Sequence, residues 1–111
     1  MKIIHSAVAA LLFVAASAQA GTAGPVKLKN IYFMSNGVVM AYVEGPRSNA
    51  PACAAVESMR FALNAATPAG KAQLSGLLLA YTTGKTVAIW GTGACTAWND
   101  TESIDFFATN D

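Results

Sequence analysis

Two cysteines, Cys53 and Cys95, stand 42 positions apart in a chain that opens with the marks of an export signal. Lys2 supplies a positive start, Ala7 to Ala16 an apolar run, and Ala18-Gln19-Ala20 the small-x-small pattern cut by a leader peptidase. The run is too short to span a bilayer, which needs about 20 apolar residues, and no second such run follows. The expectation is a leader over residues 1–20, removed on export, and one domain over residues 21–111 that is secreted or periplasmic, with no transmembrane segment after cleavage. In an oxidising compartment an even pair of cysteines in a small domain reads as a disulfide. Closing that loop stabilises the fold by about 4 kcal/mol on the chain-entropy model, a large share for so small a domain. The pair lacks the C-x-x-C spacing of a redox-active site.

The whole chain carries seven Lys and Arg against six Asp and Glu. Lys2 leaves with the leader, so the charges of the domain balance. A nucleic-acid or anionic-membrane partner would want a basic surplus, and neither is expected. So few charges leave apolar surface uncovered, which a homo-oligomer or a binding face would hide.

Along the chain, Gly21 to Pro25 reads as a flexible lead, and Val26 to Phe33 as a strand rich in β-branched and aromatic residues. Ser35-Asn36-Gly37 is a hairpin turn, and Val38 to Glu44 the returning strand. Val38, Met40 and Tyr42 share one face of it, and Val39, Ala41 and Val43 the other, so both faces require cover. Such a strand argues for self-association. Gly45 to Ala52 is a loop, after which Ser58 to Asn64 alternates as a half-buried strand with Met59, Phe61 and Leu63 inward. Thr67-Pro68 opens a helix with a cap and a proline at its first position, and Gly84 closes it. Its apolar stripe is Leu74, Leu77, Leu78 and Tyr81, and close packing would justify Gly70 and Gly76 inside it. Thr86 to Trp90 and Thr101 to Ala108 are the last strands. The fold class is mostly β, a five-stranded OB-fold-like Greek-key barrel with the order β-β-β-α-β-β and the helix as a plug.

The chemistry available is narrow. His5, the one histidine, leaves with the leader, and the paired cysteines offer no thiol. Serine–histidine and cysteine–histidine catalysis and the usual zinc sites are thereby excluded, and no cofactor or metal is expected. Asp100, Glu102 and Asp105 are the clustered carboxylates. Asp100 and Glu102 can share a strand face, as a small hydrolase would need, against the reading that they form a solvated turn and one polar strand position. Gly91-Thr92-Gly93 has no following helix to cradle phosphate and reads as a turn or bulge giving room near Cys95. Trp90 and Trp98 flank it, either packed over the disulfide or barrel end, or offered as an aromatic platform for a sugar or protein partner.

Several segments resemble a known family. Gly37-Val38-Val39, Asn49-x-Pro51-x-Cys53 and Tyr81-Thr82-Thr83-Gly84-Lys85-x-Val87 look like the B subunits of subtilase cytotoxin, a bacterial AB-type toxin. Gly91-Thr92-Gly93-Ala94-Cys95 with Trp98-x-Asp100-Thr101-Glu102 resembles small exported bacterial proteins of unassigned role. The resemblance implies an OB-fold subunit that assembles in a ring and binds cell-surface glycans. A serine before Gly-Val-Val helps hold a sialic acid in that family; Asn36 stands there in this chain, with Ser35 before it. A pocket tyrosine of the family falls near Trp90 or Gly91. The expected function is therefore a non-catalytic exported binding module for glycan or glycoprotein, with Ser35, Asn36, Trp90 and Trp98 as candidate ligand-binding residues. The alternatives are a periplasmic protein-interaction module, as an inhibitor or adaptor, and the carboxylate hydrolase.

Overall fold

The computed structural model describes residues 20–110. The leader expected over residues 1–20 lies outside these apart from Ala20, as does Asp111. The chain forms β1 (Thr22–Phe33), β2 (Val38–Glu44), the short β3 (Arg47–Ser48), β4 (Arg60–Asn64), the helix α1 (Pro68–Thr83), β5 (Thr86–Gly91) and β6 (Glu102–Asn110). A single 3-10 turn, Ala52–Ala54, carries Cys53.

The lead segment is the first departure from expectation. Instead of a flexible tail, Thr22 already pairs with Trp90 of β5 and with Ser48 of β3, and Ala23 is buried. Pro25 sits where the β1–β5 register shifts between Ala23 and Val26, so its missing N–H interrupts no ladder.

The pairings run as a ring. β1 pairs antiparallel with β2, β2 with β4, β5 with β6 and β1 with β5, while β4 and β6 join in parallel through Phe61↔Glu102 and Ala62↔Ser103. β3 is appended to the start of β1. The expected loop over Gly45 to Ala52 thus holds one short strand, and the sheet has six strands rather than five.

Alternation fills the inside of the ring. Val39, Ala41 and Val43 from β2, Phe61 and Leu63 from β4, and Val87 and Ile89 from β5 meet Val26, Leu28 and Ile104 in one core. The helix lies against β1, β4 and β6. Thr67 caps it by accepting from the Gly70 N–H at 3.0 Å, and Gly84 closes it with φ near 70°. Its buried edge differs from the expected stripe: Leu77 and Ala80 are buried and Leu74 half-buried, whereas Tyr81 is exposed. The rotation follows from close approach, since a Cβ on Gly76 would meet the Phe107 ring at 3.0 Å. The small residues Gly76 and Ala80 face the sheet, which turns Tyr81 outward.

The outer face of β2 is covered by the chain itself. Val38, Met40 and Ala62 form a second buried cluster under Met34, Ala97 and Trp98. The two-sided apolar strand therefore does not call for a second copy. A segment from the β5–β6 connection closes over the sheet instead. No helix among the described residues is long and apolar enough to cross a membrane.

Candidate functional site

Cys53 and Cys95 are bonded, with Cα atoms 6.2 Å apart. The bridge fastens the 3-10 turn to the segment between β5 and β6. That segment is stitched to β6 as well: the Ser103 Oγ accepts from the Thr96 N–H at 3.2 Å and the Ala97 N–H at 3.1 Å. The Ser103 N–H donates to the Ala94 carbonyl at 2.9 Å, and the Thr92 N–H to the Ser103 carbonyl at 2.9 Å.

The four candidate binding residues fall in different places. Ser35 and Asn36 are exposed in the β1–β2 turn, where Asn36 Oδ1 accepts from the Val38 N–H at 3.1 Å and Gly37 supplies φ near 88°. Trp98 is half-buried over the second cluster, which Met34, the residue before Ser35, also covers. Trp90 is exposed and stacks on Phe106, with ring centroids 4.6 Å apart and planes 9° from parallel. It stands opposite Thr22, the first residue of β1, while Ser35 and Asn36 follow the last. The length of β1 thus separates Trp90 from the turn. Trp98 thus packs as cover, whereas Trp90 packs over neither the disulfide nor the second cluster and stands exposed against Phe106.

The carboxylates also part company. Asp100 receives Arg60 Nη2 at 2.7 Å near the surface. Arg60 extends this group, donating from Nε to Thr101 Oγ1 at 2.8 Å and from Nη1 to the Tyr42 hydroxyl at 3.4 Å. Tyr42 donates to Glu57 at 2.9 Å and meets Tyr32 edge to face. Burial, assisted by the Glu57 hydrogen bond, raises the Tyr42 pKa above its ordinary 10.0 against a smaller opposing pull from Arg60.

Glu102, expected as an exposed polar strand position beside a solvated turn, has no solvent exposure at all. Its Oε1 meets Arg47 Nη2 at 2.5 Å, and its Oε2 accepts from the backbone N–H groups of Gly21 and Gly93, each at 2.8 Å. A buried carboxylate needs that pairing and those donors, because desolvating it unpaired is costly. The sequence signal was present in the glycines. A Cβ at Gly91 would overlap the Glu102 carboxylate, so the glycine turn makes room for Glu102 rather than for Cys95.

A cleft of about 460 Å³ opens where the first turn of α1 meets the end of β4, β6 and the stitched segment. Its polar lining comes from Asn64, Thr67, Gln73, Thr92, Thr96 and Asp105, its apolar floor from Ala62, Leu63, Ala69, Ala97 and Ile104, with Gly70 and Ser103 completing it. Gly70 brings the helix down on the strand end, since a Cβ there would overlap the Asn64 carbonyl. Gln73 reaches across to donate to the Asp105 carbonyl at 2.9 Å. Sequence reasoning missed this cleft because its walls come from four separated segments, and their polar side chains, Asp105 the one charged group among them, carry no spacing signature. Comparison with protein-family models, with curated proteins and with solved structures finds no match to this chain.

Proposed function

We propose that the chain is an exported, non-catalytic binding module with an OB-fold, and that it takes a neutral glycan in the cleft between α1, β4 and β6. The single observation that carries this reading is the lining of the cleft. Its volume lies in the range of small-ligand sites, and it pairs amide and hydroxyl groups and the Asp105 carboxylate with apolar side chains. A sugar presents hydroxyls at its rim and C–H surfaces on its faces, and needs both kinds of neighbour. No Lys or Arg lines the cleft, so it suits neutral hydroxyls better than a sialic carboxylate. The ring order of strands with one parallel junction between β4 and β6 supports the OB-fold reading. The carboxylates expected of a hydrolase are engaged by arginines, which favours binding over acid–base chemistry.

A second reading rests on the Trp90–Phe106 stack, exposed on the outer face of β5 and β6. Aromatic surface of this kind serves protein partners or a second copy of the chain, as in an inhibitor, an adaptor or a homo-oligomer. A glycan array on residues 21–111, repeated with Gln73→Ala, Asp105→Ala and Trp90→Ala, separates the readings. Loss of a neutral-glycan signal in the first two variants, with folding intact, supports the cleft. Loss only in Trp90→Ala moves the site to the platform. No glycan signal in the unaltered protein overturns the glycan reading.

A further inference from the structure

Gly21 is buried while Ala20 before it is exposed. Its nitrogen lies 2.8 Å from Oε2 of Glu102, and its carbonyl is fixed by the Gly91 N–H at 2.8 Å. A Cβ on Gly21 would overlap both the Glu102 carboxylate and the Arg47 guanidinium, so only glycine brings a backbone nitrogen this close. The nitrogen so placed belongs to the residue directly after Ala18-Gln19-Ala20, the pattern a leader peptidase cuts.

We propose that Glu102 is the receptor for the chain's own new N-terminus, holding the α-ammonium of Gly21 as a buried ion pair once residues 1–20 are removed. The proposal rests on the leader reading. Hydrolysis of the Ala20–Gly21 amide by a leader peptidase consumes one water; the carboxylate leaves with Ala20, and the released Gly21 amine takes up a proton. The 2.8 Å contact then joins an ammonium rather than an amide to the carboxylate, and charge-assisted hydrogen bonds are about twice as strong as neutral ones.

Two cations share this carboxylate, on different oxygens. Arg47 holds Oε1 and disperses its own charge on the Ser58 carbonyl at 2.7 Å, the Ser48 carbonyl at 3.1 Å and the Phe61 ring at 4.3 Å. That leaves Oε2 for Gly21 and the uncharged Gly93 N–H. The other ion pair of the region, Arg60–Asp100, is internally compensated. The Gly21 nitrogen meets Oε2 directly, while the Arg47 charge is drawn toward Oε1 and toward the Ser58, Ser48 and Thr22 carbonyls.

The test compares disulfide-bonded protein starting at Gly21 with protein starting at Ala20, which keeps the Gly21 N–H but moves the charge to an exposed residue. The Gly21 form is expected to melt higher by about 5 °C, and Glu102→Gln to abolish the difference. Should Glu102→Gln fail to fold, amine labelling decides without it. The Gly21 amine is expected to react at least about tenfold slower in the folded chain than in urea, a factor equal to about 1.4 kcal/mol. Equal melting of the two forms, or equal labelling rates, overturns the ion pair. N-terminal sequencing of the exported protein is expected to begin at Gly21, and any other start overturns the proposal at the processing step instead.

Discussion

Three consecutive leucines of α1 offer a graded test of how the helix sits on the sheet. Leu77 is 1% exposed and packs in the main core, Leu78 is half-buried, and Leu79 is 64% exposed. Leu77→Ala deletes buried carbons worth about 0.8 kcal/mol each, roughly 2.4 kcal/mol in all. The void left behind adds to that, because the core around it relaxes only in part, and brings the expected loss to about 3–4 kcal/mol. At about 4–8 °C per kcal/mol for a domain of this size, the melting midpoint falls by at least ~12 °C. Leu79→Ala removes the same atoms from solvent and stays within about 0.5 kcal/mol of the parent. Leu78→Ala falls between the two. Urea titrations followed by circular dichroism, with the disulfide intact, read all three. A series in which Leu79→Ala costs as much as Leu77→Ala would refute the placement of the helix, because only a rotated α1 buries both.

Removing the bridge by Cys53→Ser together with Cys95→Ser is expected to cost about 4 kcal/mol, read as a lowered urea midpoint. Arg47→Met takes the guanidinium from Oε1 of the buried Glu102 carboxylate, an expected loss of about 3–5 kcal/mol by thermal melting, part of which returns when Glu102→Gln is added. Tyr42, with its folded pKa raised above 10.0, holds its proton more tightly folded than unfolded, so its contribution is full below pH 10 and declines as pH rises through the folded value. An absorbance titration should show the Tyr42 phenol ionising above pH 10.0, as the difference between the parent and Tyr42→Phe.

Local chemistry made the elements legible. The Thr67 cap, Gly84 and the Asn36-Gly37 turn each act within a few residues and stand where the sequence placed them; Phe61 and Leu63 point inward as expected, but Met59 lies just before β4, and the strand expected to be half-buried has Ala62 buried on its other face. The cysteine pair was legible because parity and compartment leave two thiols few alternatives. What stayed hidden depends on distant partners. Thr22 and Ala23 look like a loose lead until Ile89, Trp90 and the Arg47–Ser48 pair are beside them. Glu102 looks solvated until Arg47, 55 residues earlier, is folded against it. The buried edge of α1 shifted to Ala80 because Phe107 sets how the helix rests, and a stripe counted on hydropathy alone cannot include that ring. The cleft is hidden for the same reason, being a meeting of four segments rather than a motif.

The closing of one segment over the outer face of β2 has a consequence for how the protein must be made. Trp98 lies three positions beyond Cys95, so the lid over Val38, Met40 and Ala62 is anchored by the bridge to Cys53. With the thiols reduced, hydrogen bonds and the packing of Ala97 and Trp98 alone hold that lid, and each opening bares Val38, Met40 and Ala62 on two adjacent strands. Apolar surface bared on one face of a sheet is a site for association between chains. Expression yield should therefore follow the oxidant supply of the host: inclusion bodies where the cytosol keeps cysteines reduced, and soluble product once thiol oxidation precedes chain release.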